Sequence, residues 1–181
     1  RGDTGMLYMK HFDVHHLEEK LSKNSAIKDV QVYKTIDGEL YIEVKQRRPI
    51  VRVFSKGESY YIDENGNLML WTSKYTSRLP VVSGNIKEPY NKRYQFNYAQ
   101  LEDSLRSKTM LDDIFKMAKY IDNSPFWKAQ IEQIYVNKVY DIELVPKVGN
   151  HKIVFGGVEN LESKFEKLLI FYKKGLSKTG C

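Results

Sequence analysis

The chain has 181 residues, enough for one medium domain or two small ones. Apolar residues make up 41% and charged residues 29%, so a real core is possible beneath an ordinary mixed-charge surface. Its single cysteine, Cys181, excludes an intramolecular disulfide and a cysteine-built metal site.

The first readable element is a short helix. Asp13 is placed to cap it, and Val14, Leu17 and Leu21 follow at one-face spacing, with Asn24-Ser25 as its end. Two alternating runs come next, one with Val30 and Val32, the other with Leu40, Ile42 and Val44. Asp37-Gly38 between them signals a hairpin, because its turn needs positive φ. Pro49 breaks this unit. Ile50 to Phe54 then reads as a strand, Tyr60 to Ile62 as its return, and Asp63-Glu64-Asn65-Gly66 as a tight turn into Leu68-Met69-Leu70. Leu79-Pro80-Val81-Val82-Ser83-Gly84 reads as a short apolar strand closed by glycine, and 85–100 as irregular.

A helix is expected from Thr109, with Asp112 completing a variant capping box and Leu111, Ile114, Phe115, Ala118 and Ile121 as its buried stripe. Ser124-Pro125 suits a new helical turn. Strands follow at Ile131–Val136, Tyr140–Val145 and His151–Phe155. In the last helix Leu161, Phe165, Leu168 and Tyr172 form one stripe. Glu159 and Glu162 near its start and Lys173 and Lys174 near its end match the helix dipole, with Gly175 as the stop. Strand pairs interleaved with single helices read as an α+β fold.

No catalytic constellation is expected. Gly156-Gly157 lacks the further glycines and the lysine of a phosphate loop. His15 and His16 are helix neighbours that point roughly 100° apart. His11 and His15 would share a face only if the helix began before Asp13, and His151 is isolated, so no metal is expected. No G-x-S-x-G elbow occurs, and Asp112-Asp113 reads as capping. The reading is therefore a protein that is not an enzyme and has no cofactor. Net charge is +6, but the basic residues are scattered. The densest groups, Lys45-Gln46-Arg47-Arg48 and Lys173-Lys174, sit in no aromatic-rich nucleic-acid motif, so no nucleic-acid partner is expected.

The order of these segments resembles a known family. Leu17-Glu18-Glu19-Lys20-Leu21, Ile27 to Val32 and Val44-Lys45-Gln46-Arg47-Arg48-Pro49 are similar to the end of a POTRA domain of FtsQ/DivIB cell-division proteins. Tyr61-Ile62-Asp63-Glu64-Asn65-Gly66 and Leu79-Pro80-Val81-Val82-Ser83-Gly84 resemble two turns of that family's β domain. Phe126-Trp127, Gln130 to Ile134 and Leu144-Val145-Pro146 resemble the Bacteroidetes-type form. The resemblance implies a partial POTRA domain over 1–49, a helix plus β-hairpin lacking its first strand and helix. It implies a FtsQ-type β domain over 50–181, an antiparallel sheet with flanking helices lacking its terminal strands.

The resemblance also implies a non-catalytic divisome scaffold that binds the coiled-coil proteins FtsB and FtsL and links early to late division proteins during septum formation. The alternative is a POTRA-bearing outer-membrane assembly or secretion factor. The implied location is the cell inner membrane, single-pass, with this portion in the periplasm. The chain shows no run of about 18 apolar residues and no signal peptide. Its start at Arg1 reads as a fragment boundary from which a transmembrane anchor is missing. Two groups are expected to meet partners: Lys164, Lys167, Lys173 and Lys174 on the last helix, which flanks the partner-binding sheet edge in the family, and Gln46, Arg47 and Arg48 at the junction of the two domains.

Overall fold

The computed structural model describes residues 13–71, 78–88 and 109–174. The chain divides into two compact units, Arg1–Arg48 and Pro49–Cys181. His11, Gly175 and Cys181, and most of 85–100, lie outside the described residues.

The first unit is helix α1 (Val14–Ser22) and a hairpin of β1 (Ile27–Lys34) and β2 (Leu40–Gln46). The Asp13 carboxylate accepts from the His16 amide at 3.1 Å, satisfying one of the free N–H groups of the first turn. Gly38 takes φ +85°, the conformation that its turn requires. Antiparallel pairing sets Val30 opposite Val44 and Val32 opposite Ile42, so the two alternating runs share one face. Val32 is buried there, whereas Ile42 and Val44 each remain 47% exposed.

The second unit opens with β3 (Pro49–Ser55), β4 (Glu58–Asp63), β5 (Leu68–Leu70) and β6 (Val81–Gly84). Helices α2 (Leu111–Asn123) and α3 (Pro125–Gln130) follow, then β7 (Ile131–Val136), β8 (Ile142–Pro146), β9 (Ile153–Gly156) and helix α4 (Leu161–Lys174). The strands form one seven-stranded sheet in the order β5-β4-β3-β6-β7-β8-β9. Its outer pairings are antiparallel, and β6 runs parallel to both neighbours at the centre. A four-residue strand holds this central place because Val82 is wholly buried, as parallel strands covered on their faces require. Val51, Val53, Ile134 and Leu144 from the sheet join Ile114, Met117 and Ile121 of α2 and Phe165 of α4 in one core.

Helix α2 starts differently from the capping-box expectation. Its N-cap is Met110, which makes no side-chain cap bond, and Asp112 pairs with Lys116 one turn on. Thr109 Oγ1 accepts from the Leu111 amide at 3.2 Å, and Glu88 Oε1 accepts from the Met110 amide at 3.1 Å. An acid 22 residues upstream thus does what the sequence assigned to Asp112. It brings its charge to the positive end of the helix dipole. Replacing Glu88 with alanine is expected to cost about 1 kcal/mol of unfolding free energy, measured by urea denaturation. An unchanged midpoint would show that the cap contributes nothing.

Candidate partner-binding surface

Helix α4 is fixed to the sheet by aromatic packing. Phe165 stacks on Tyr120 at 4.4 Å between ring centroids and meets Phe155 at 4.8 Å and Trp127 at 5.1 Å. Tyr172, two turns further along the same face, meets Trp127 edge-on at 5.5 Å. Its hydroxyl lies 3.1 Å from His151 Nε2, and burial pushes the phenol pKa up. The Phe126-Trp127 pair therefore locks the last helix in place: Ser124 caps α3 through the Trp127 amide, and Trp127 is buried against α4.

The four lysines assigned to this helix do not form one set. Lys164, Lys167 and Lys174 follow at i, i+3 and i+10 with Phe171 at i+7, a single stripe by helical periodicity, while Lys173 falls on another side. Lys164 is already held. Its ammonium donates to the Gly157 carbonyl at 2.8 Å and lies 5.2 Å from the Phe155 ring centroid. That contact sets the start of the stripe against the C-terminal end of β9. Lys167 and Lys174 are exposed.

β9 is the last strand of the sheet, and among the described residues its outer edge has no pairing strand. Phe155 is buried toward α4, whereas Val154 is 70% exposed. On the helix Ile170 and Phe171 are 53% and 58% exposed. Among the described residues an unpaired edge thus lies beside a helix whose exposed side carries Ile170, Phe171 and the basic stripe, while Val154, alternating with Phe155, points to the opposite face of the sheet. Sequence reading had missed Val154, Ile170 and Phe171. Their signal is available only in hindsight: Ile170 and Phe171 fall outside the Leu161–Tyr172 stripe. The second group, Gln46, Arg47 and Arg48, runs from the last residue of β2 to the end of the first unit. Gln46 and Arg48 are exposed and Arg47 half-buried, its amide bonded to Ala26 O at 2.9 Å. Among the described residues no group of three or more metal-ligating side chains assembles.

A sheet-rich domain with helices fixed to it follows a helix–hairpin unit, and among the described residues its sheet ends on an unpaired edge. Residues 48–181 match the family model for the FtsQ/DivIB C-terminal related domain, and residues 7–45 match the POTRA-like domain. The chain belongs to the FtsQ/DivIB-related family, one of non-enzymatic division scaffolds, and its role lies in cell division. No curated protein matches the chain.

Proposed function

We propose that this chain is a scaffold of the bacterial divisome that binds FtsB- and FtsL-type partners outside the cytoplasm and links early to late division proteins during septum formation. The observation that carries the reading is the β9 edge, unpaired among the described residues, beside the Lys167–Lys174 stripe of α4, in a member of this family. An added strand would take its backbone bonds from such an edge, and neighbouring side chains would select it. Phe171 offers apolar cover on the helix side of the edge, and Lys167 and Lys174 steer acidic partner residues. We place this portion in the periplasm, tethered to the inner membrane by a segment other than the helices described, none of which is long and apolar enough to cross a membrane.

Titration calorimetry of this chain, and of a version extended at its C-terminus, against an extracytoplasmic FtsB–FtsL segment tests the proposal. Binding by either version supports it, and binding by neither removes the assigned partners. With a binding version in hand, Lys167→Glu/Lys174→Glu is expected to weaken affinity by about tenfold at low salt, from like-charge repulsion, and by much less at high salt. Equal losses at both salt concentrations would take these lysines out of partner steering.

A further inference from the structure

The sheet of the second unit has a face turned away from α2, and on it sits a cation that no carboxylate among the described residues neutralises. Val51 and Val53 of β3 join the core with α2, so by alternation Arg52 and Phe54 project from the opposite side. Phe54 pairs with Ser59 of β4, and Tyr60 pairs with Leu70 of β5, which sets Trp71 on the far side of Ser59. Phe54, Ser59 and Trp71 thus make a row across three strand ends, and Arg52 reaches over it. Its Nε donates to Ser59 Oγ at 3.0 Å. Its guanidinium carbon lies 4.5 Å from the Phe54 ring centroid and 4.8 Å from that of Trp71.

One hydrogen bond and two rings therefore hold the guanidinium in place. The rings attract its charge but use none of its N–H groups. Its two terminal nitrogens have no acceptor among the described residues. Phe54 and Trp71 are 41% and 40% exposed, so the cluster opens to solvent. Two parallel N–H donors in one plane fit the two oxygens of a carboxylate, and one positive charge balances it. Because the arginine is already fixed, it loses little further freedom when the acid arrives. The half-exposed rings give apolar cover on both sides of that acid.

We propose that Arg52, Phe54, Ser59 and Trp71 form a second docking site, which takes an acidic side chain of a protein partner flanked by apolar residues. Ser59 and the two rings aim the guanidinium, and the partner's carboxylate closes on its two terminal nitrogens. The site lies toward the β5 end of the sheet, opposite to β9, and is independent of the partner assigned there.

The test titrates the full chain, isotope-labelled for NMR, with two acetylated and amidated pentapeptides, Ala-Leu-Glu-Leu-Ala and Ala-Leu-Gln-Leu-Ala. The acidic peptide is expected to shift the Trp71 indole N–H and the Arg52 Nε–H to saturation. The Gln peptide, of the same shape without the charge, is expected to bind about tenfold more weakly, the loss of a charge-assisted pair. Arg52→Lys keeps the charge but loses the planar fork, and is expected to weaken the acidic peptide by about tenfold. Ile134 and Leu144 amides at their wild-type positions show that the sheet of this variant is intact, and the comparison of the two peptides on the wild-type chain stands without any variant. No binding of the acidic peptide, equal binding of both peptides, or undiminished binding to a folded Arg52→Lys overturns the proposal. Inorganic phosphate that moves the same two signals and binds more tightly than the acidic peptide overturns the choice of a carboxylate.

Discussion

Replacing Gly84 with alanine is expected to destabilise the second unit by about 3 kcal/mol, at the upper end of ordinary single substitutions. Two effects combine. Gly84 holds φ +110°, a conformation that side chains rarely adopt, and a Cβ there would lie 2.1 Å from the Val136 carbonyl oxygen. Neither end of that contact can yield cheaply. Gly84 pairs with Val136 across the parallel β6–β7 join, and the next residue, Asn85, donates its amide to the same carbonyl at 2.8 Å. Relief would require β6 to move away from β7 at the centre of the sheet, beside buried Val82 and Ile134. Urea unfolding monitored by tryptophan fluorescence measures the loss. A variant within about 0.5 kcal/mol of wild type, the usual scatter for harmless surface changes, would show that the join tolerates a shift.

Asp63→Ala should cost a similar amount, about 3 kcal/mol, for a different reason: it leaves buried donors without acceptors. Asp63 is wholly buried at the end of β4. Its carboxylate accepts from the amides of Asn65 at 2.9 Å and Asn67 at 2.8 Å, and from the Asn67 side chain at 3.0 and 2.8 Å through its two oxygens. One side chain thus ties the turn into β5, with Gly66 at φ +83° completing the reversal. Asp63→Asn preserves one acceptor oxygen and should lose roughly half as much. If Asp63→Asn proves as damaging as Asp63→Ala, the second oxygen or the charge, rather than the number of acceptors, holds the turn. If both are neutral, the network contributes nothing.

These two residues come from the short motifs that carried the family resemblance, and the structure supplies their physical reasons. In the Ile62-Asp63-Glu64-Asn65-Gly66 segment the aspartate bonds the turn closed. In Leu79 to Gly84 the glycine lets one strand's backbone approach another's. Elements with a strong period or an obligatory turn residue were legible in the same way. β7 spans Ile131–Val136 as its alternation predicts, and Leu161 and Phe165 are buried as the last helix's stripe predicts. Boundaries beside turns were less legible. β8 begins at Ile142 because Tyr140 sits at φ +67° in the turn, where Lys87 bonds its hydroxyl and lowers its pKa. β9 begins at Ile153, leaving His151 in the loop against Tyr172.

Period, turn chemistry and caps act over a few residues, so the helices, the hairpin, the family motifs and the α+β class could all be read from residue order. Strand order and distant partners could not. The parallel centre of the sheet, the Glu88 cap on α2, the capture of Lys164 by Gly157 and the bond from the Val32 amide to Glu18 each join groups far apart along the chain or on different elements. Such contacts depend on where whole elements settle when they bury their apolar faces together. Local sequence sets which faces those are, but the packing of the assembled layers chooses which polar groups then meet.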